Sequence, residues 1–172
     1  NKYPEVLSEE EDNTKRVFGG RRQYCFNSEK YIDYSKKIIK KLAEHYKKED
    51  GIVAWQIDNE FGHEGSDLCY CDLCKKEFNE YLKEKYNNDI NKLNETWGTI
   101  FWSQTYNNFD EIPLPAKTIT THNPSLRMEW ERFRSVSIEK YAKMQVDLLK
   151  EILGEDTVVL HDFSGGFFDK SY

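Results

Sequence analysis

No stretch of this sequence approaches the ~20 consecutive apolar residues that a membrane-crossing helix needs. Positive charge is also in deficit, with 25 Lys and Arg against 31 Asp and Glu and a formal net charge of −6. That balance, with a pI of 5.3, argues against a nucleic-acid backbone or an anionic membrane as partner. The opening Asn1–Lys2–Tyr3–Pro4 has neither an initiator methionine nor a signal-peptide core. Phe168–Asp169–Lys170–Ser171–Tyr172 closes the chain without a helix or polar tail. Both ends therefore read as cut from a longer polypeptide, for which a cytoplasmic location is expected. No internal repeat or low-complexity tract occurs. Cysteine is scarce, at four residues, so a disulfide-dense scaffold is not the expectation.

What is present is aromatic and charged: 15% of residues are Phe, Trp or Tyr and 33% are charged. Aromatic planes stack on sugar rings, although most such residues serve as ordinary core filler. Residues 1–27 read as irregular, with a turn at Gly19–Gly20–Arg21–Arg22. Asn27 or Ser28 is placed to cap a helix whose apolar positions Tyr31, Ile32, Tyr34, Ile38, Ile39, Leu42 and Tyr46 recur at helical spacing. Ile52 to Ile57 is a short, nearly continuous apolar run, as a strand buried on both faces of a parallel sheet would show.

Residues 61–123 form a long excursion. Asp72 and Asp89 are placed to cap short helices carrying Phe78, Tyr81 and Leu82, and Ile90, Leu93 and Trp97. Asn123–Pro124 opens the longest helix, a cap followed by proline at the first helical position. Its apolar stripe runs through Leu126, Trp130, Phe133, Tyr141, Met144, Leu148 and Ile152 to Gly154, and Thr157–His161 reads as the next parallel strand. Strand, excursion, helix and strand give an α/β order.

Three of the four cysteines, Cys69, Cys71 and Cys74, form a C-x-C-x₂-C run, with Cys25 far upstream. A Cys69–Cys71 bridge would strain disulfide geometry. Four thiolates around Zn²⁺ need no such strain, and four protein donors leave no open position, so the reading is a structural zinc site. Disulfides and free thiols are the alternatives. His63 lies close enough to be a ligand, but with four cysteines available it reads as a rim residue.

Glu60 directly follows the apolar run and its neighbour Asn59 offers both a donor and an acceptor. A strand-end Glu partly desolvated by Trp55 and Phe61 would have its pKa raised, as a general acid near neutrality requires. On spacing alone, a helix cap or solvated turn is the stronger reading of Asn59–Glu60. Asp58 shares the face of Glu60 in a strand and is placed to support it by a hydrogen bond. His161 is balanced between a pocket-facing and a structural role.

The segments Phe18–Gly19–Gly20–Arg21–Arg22–Gln23–Tyr24–Cys25–Phe26–Asn27–Ser28, Trp55–Gln56–Ile57–Asp58–Asn59–Glu60–Phe61–Gly62, the cysteine run, and Leu93–Asn94–Glu95–Thr96–Trp97–Gly98–Thr99–Ile100–Phe101–Trp102–Ser103 occur in that order. Together they resemble glycoside hydrolase family 42, the bacterial β-galactosidases. The resemblance implies part of a (β/α)₈ TIM barrel, about strands 4–5 with their flanking helices and a zinc-stapled insertion over 61–123. The chain is shorter than the ~250 residues of a complete barrel. It also implies a retaining hydrolase acting on terminal β-galactosides, with no cofactor in the chemistry. Glu60 becomes the general acid/base, Arg21 and Asn59 sugar contacts, Trp102 part of the site wall, and Cys25, Cys69, Cys71 and Cys74 the zinc ligands.

Many members are trimers, so the parent is expected to be a homotrimer. Phe26 stands where the family usually has proline, and Asp162 where it has asparagine. The family's nucleophile lies on the seventh strand, beyond this chain, so the fragment alone is expected to be inactive. The competing readings are another retaining barrel glycosidase, such as an arabinosidase or glucosidase, and a non-catalytic zinc-stapled interaction module.

Overall fold

The computed structural model describes residues 2–163. Helix α1 spans Glu29–Tyr46, and the Ser28 side chain caps it by accepting from the Tyr31 amide. Strand β1 (Trp55–Gln56) follows, then α2 (Asp72–Lys85), α3 (Ile90–Trp97), α4 (Pro124–Leu153) and strand β2 (Val159–Leu160). The two strands pair in parallel, with Trp55 opposite Val159 and Gln56 opposite Leu160. Flanking bonds, Trp55 N–H to Val158 O at 2.9 Å and Ile57 N–H to Leu160 O at 3.0 Å, extend the ladder at each end.

Regular pairing is shorter than the run Ile52–Ile57 suggests. Val53 is exposed and Ile52 partly so, because among the described residues β1 has one neighbour rather than two. Tyr34, Ile38, Leu42 and Tyr46 of α1 are exposed as well.

The caps follow local chemistry closely. Asp89 accepts from the amides of Asn91 and Lys92 to start α3. Asn123 accepts from the Ser125 amide and donates to Trp97 O at 3.0 Å, so one residue starts α4 and ties it to the end of α3. Such caps stabilise by about 1 kcal/mol each. Helix α2 differs from expectation by one position: Cys71 is the cap residue and Asp72 sits in the first turn. Its carboxylate there still complements the positive end of the helix dipole.

Two cores lie along the 30-residue α4. Leu126, Trp130 and Phe133 of its first half join Phe78, Leu82, Tyr86, Leu93, Trp97, Phe109, Ile112 and the cysteines. Tyr141 and Leu149 of its second half join Ala43, Ile57 and Phe61 under α1 and the strands. Leu149 rather than Leu148 is the buried member of that stripe. The stretch between α3 and α4 lacks periodicity but is held by Asn94, whose side chain bonds Thr99 Oγ1 at 2.7 Å and both the N–H and the carbonyl of Tyr106.

Candidate functional site

At the exit of β1 the backbone turns sharply. Asp58 and Glu60 both adopt positive φ, +46° and +45°. Left-handed conformations at non-glycine residues cost on the order of 1–3 kcal/mol each and persist where the surroundings impose them. Here Glu60 N–H donates to Asp162 O at 3.2 Å, and His63 N–H donates to Glu60 O at 3.1 Å. The turn aims the Glu60 carboxylate at Arg22, whose Nη2 lies 2.7 Å from Oε2. Asn59 Nδ2 donates to the same oxygen at 3.1 Å. With its side chain 28% exposed, Glu60 is reachable by solvent.

Arg22 and Asn59, with Gly20, Arg21, Tyr24, Phe26, Tyr31 and Asp58, line a concavity of 310 Å³. Three aromatic rings and several polar side chains line it together, as in many small-molecule sites. The structure thus brings Glu60, Asn59 and Arg21 to one place. Arg21 is an exposed rim residue, whereas Arg22 engages the carboxylate. Arg22 is the partner of Glu60 that sequence reasoning missed: two adjacent arginines are indistinguishable until the turn decides which meets the carboxylate. Trp102 is 69% exposed at a kinked turn, its ring stacked on Phe101 at 4.8 Å, and is not among the residues lining this concavity.

The expected upward shift at Glu60 is not what the structure shows. The hydrogen bond from Arg22 holds its pKa below the ordinary glutamate value, outweighing the opposing effect of desolvation. Trp55 packs instead into the core beneath α1 and α4. Asp58 behaves oppositely: the surrounding protein raises its pKa, partly offset by the bond from the Asn59 amide. That bond, Asn59 N–H to Asp58 Oδ1 at 2.8 Å, is the support Asp58 gives, to the backbone rather than to Glu60 directly. His161 is engaged with backbone: Nδ1 lies 2.7 Å from Ile57 O, and Nε2 accepts from Phe61 N–H at 3.2 Å. At the position where asparagine was expected, Asp162 Oδ1 accepts from Gln56 Nε2 at 2.7 Å.

The four cysteines converge in the first core. All four are buried and free, and their sulfurs lie within 4.8 Å of one another. Cys25 Sγ is 3.4 Å from Cys74 Sγ and 3.8 Å from Cys71 Sγ, and none is disulfide-bonded. Four sulfurs at ~2.3 Å from one tetrahedral ion would sit ~3.8 Å apart, so the cluster has the right size for a metal. Two N–H groups already serve it: the Glu9 amide donates to Cys69 Sγ at 3.4 Å and Asn27 Nδ2 to Cys74 Sγ at 3.3 Å. Mutual sulfur contacts pull the pKa values of Cys69 and Cys71 down and push those of Cys25 and Cys74 up, so without an ion the thiols share protons among themselves. His63 is not a member of the cluster.

Arg22 is three residues before Cys25, and Cys69 is nine residues after Glu60. The cluster therefore ties together the two segments that supply the carboxylate and its partner.

The Glyco_hydro_42 family model, described as beta-galactosidase, matches residues 1–172. The beta-galactosidase Bga of Halorubrum lacusprofundi is 41% identical over 164 residues, 95% of this chain and 23% of that protein. The beta-galactosidase BgaA of a Thermus species is 40% identical over 168 residues, 98% of this chain and 26% of that protein.

Among solved structures, the polyextremophilic beta-galactosidase from the Antarctic haloarchaeon Halorubrum lacusprofundi superposes with a TM-score of 0.92 at 40% identity. The beta-galactosidase from the psychrophilic Marinomonas ef1 gives 0.90 at 36%. Each match covers 96% of this chain and 25% of the other. The chain thus spans about a quarter of the length of the relatives it matches. No described helix is long and apolar enough to cross a membrane.

Proposed function

The chain belongs to glycoside hydrolase family 42, and from that premise we propose that it carries the acid/base half of a retaining β-galactosidase built on a (β/α)₈ barrel. The carrying observation is Glu60 at the exit of β1, bonded by Arg22 and Asn59 beside a concavity partly lined by aromatic rings. A retaining enzyme sets two carboxyl groups ~5–5.5 Å apart. One attacks the anomeric carbon while the other, here Glu60, gives its proton to the departing glycosidic oxygen. Glu60 then takes a proton from the water that cleaves the glycosyl–enzyme bond. We place the nucleophile outside these 172 residues, on a later strand of the longer polypeptide.

The depressed pKa of Glu60 fits the second step as it stands, because an ionised carboxylate is the base that step needs. For the first step Glu60 must hold a proton. A second carboxylate a few ångströms away raises its pKa by like-charge repulsion. Sugar hydroxyls competing for Arg22 and Asn59 act in the same direction. Arg21, at the rim, and Asn59 are read as glycone contacts, with Arg22 holding the carboxylate.

The four-cysteine cluster fits Zn²⁺ in donor type, number and spacing. Bound there, zinc would supply a structural crosslink between the Arg22 segment and the insertion after Glu60. Because four protein donors fill its coordination, catalysis is assigned to the carboxylates.

The test is hydrolysis of a chromogenic β-galactoside by the longer polypeptide. Glu60→Ala should lower turnover of substrates with poor leaving groups by about 10²–10⁴-fold. Added azide should restore turnover of an activated substrate and yield β-galactosyl azide. Undiminished turnover in the variant refutes the assignment of Glu60. The 172-residue chain by itself should be inert. Galactoside cleavage by that chain, abolished by Glu60→Gln, would contradict the placement of the nucleophile.

A further inference from the structure

We propose that His161 is a positioning residue for the proposed acid/base, holding the Glu60 turn through a single fixed ring tautomer. The inference rests on the reading of Glu60 given above. Two left-handed, non-glycine residues occur within three positions, Asp58 at φ +46° and Glu60 at +45°. Neither is favoured intrinsically, so something around them must impose the conformation.

The residues bracketing that pair are Ile57 and Phe61, and His161 binds both. Phe61 N–H donates to Nε2 at 3.2 Å, so Nε2 carries a lone pair. Nδ1 lies 2.7 Å from the Ile57 carbonyl, an acceptor, so Nδ1 carries the hydrogen. One neutral imidazole with its hydrogen on Nδ1 satisfies both contacts.

The ring is also locked in plane. It stacks on Phe61 at 4.5 Å with 20° between planes, and Phe163 meets it edge-on at 5.0 Å. The backbone bond from Ile57 N–H to Leu160 O precedes the ring contacts along the chain, and that from Glu60 N–H to Asp162 O lies between them. The chain from 57 to 61 is thus fixed to β2 and its exit at four points, two of them from one side chain. Without the imidazole, both strained residues would lose their bracket. The carboxylate would then wander from the position in which Arg22 meets it at 2.7 Å.

The experiment uses the longer polypeptide on a chromogenic β-galactoside. His161→Phe keeps the stack but removes both hydrogen bonds. His161→Gln retains a donor and an acceptor at nearly the spacing of the two ring nitrogens. The expected result is a kcat lowered at least about tenfold in His161→Phe with KM changed less than about threefold, because misplacing a reacting group acts on the chemical step. His161→Gln should recover kcat to within about threefold of the parent.

A His161→Phe enzyme with kcat within about twofold of the parent overturns the proposal. So does equal loss in both variants, since a side chain that keeps a donor and an acceptor would then do no better than one that has neither. If His161→Phe does not fold, neutron diffraction from deuterium-exchanged crystals of the unaltered protein decides. Deuterium on Nδ1 and none on Nε2 supports the clamp, and deuterium on Nε2 defeats it. Should Glu60→Ala retain full activity, the functional reading fails while the neutron result still judges the clamp.

Discussion

Replacing Arg134 by methionine removes a guanidinium from the interior while keeping most of its packing volume. Arg134 Nε and Nη2 lie 2.9 and 2.5 Å from Asp67 Oδ2, and the two side chains are only 5% and 4% exposed. Glu131 also bonds Arg134, but from a solvated position. Among the described residues, Asp67 Oδ1 has no hydrogen-bond partner. In Arg134→Met the whole carboxylate is therefore buried without a cation, and removing one member of a buried pair costs about 3–5 kcal/mol. With a urea m-value of about 2 kcal/mol/M, the unfolding midpoint at pH 7 should fall by about 1.5–2.5 M.

The loss must also depend on pH, and its sign is fixed. Burial raises Asp67 above its ordinary 3.8, ahead of the attraction of Arg134, which pulls it down. Deleting that attraction raises the folded-state value further. Between the unfolded value and the new folded value, the native variant keeps a proton that the unfolded chain has released. Its stability therefore falls with rising pH by up to about 1.4 kcal/mol per unit across that window. The deficit should be smallest near pH 4 and largest near neutrality. Asp67→Leu combined with Arg134→Met should recover most of the loss, because a buried ion pair is replaceable by apolar packing. Urea titrations by tryptophan fluorescence from pH 4 to 8 decide the matter. A cost below about 1 kcal/mol at pH 7, or one that does not change with pH, would show that Asp67 is solvated and refute the reasoning.

Arg22→Gln should raise the pKa of Glu60 toward its ordinary 4.5, the dominant lowering partner being gone. Because the shift in the parent is downward, its stabilising effect is present above 4.5 and disappears as pH falls through the lowered value, and carboxyl ¹³C titration reads the change directly. Cys74→Ala should abolish tight metal retention, read as loss of about one equivalent of zinc per chain by elemental analysis. Amide exchange in that variant should accelerate over α2 and the residues before Cys25 more than in α1, because α1 packs in the other core. Unchanged zinc content there would remove Cys74 from the ligand set.

Much of this arrangement is legible in the sequence because it is set by local chemistry. Ser28, Asp89 and Asn123–Pro124 cap helices as their types and spacing suggest. The cysteine spacing favours a metal over disulfides, and the thiols are free and convergent. What the sequence conceals depends on long-range packing. The stripe of α4 contains Glu129, Arg134, Ser137 and Gln145, buried polar residues invisible to an apolar period. Arg134 is stable there only because Asp67, 67 positions away, meets it. Likewise nothing local separates Arg21 from Arg22; the turn at Gly19–Gly20 and the position of Glu60 decide which one pairs.

The ionisation of Glu60 illustrates the limit most sharply. Reasoning from Trp55 and Phe61 as neighbours gives an upward shift, but Glu60 lies beyond β1 in a left-handed turn that points it toward Arg22 instead. Ile57 and Phe61 are buried in the core while Glu60, between them, faces Arg22. Its protonation is accordingly set by cross-chain partners, and these compete: Arg22 favours the carboxylate form and a second carboxylate would favour the acid. A group asked to donate a proton and then to accept one needs both influences, with neither so strong as to fix the charge. Among the described residues no carboxylate acts on Glu60, so the pKa of Glu60 should rise when the remainder of the barrel closes over this site. Comparison of the Glu60 carboxyl titration in the 172-residue chain and in the longer polypeptide measures that rise, and an unchanged value would mean that the second carboxylate is not its neighbour.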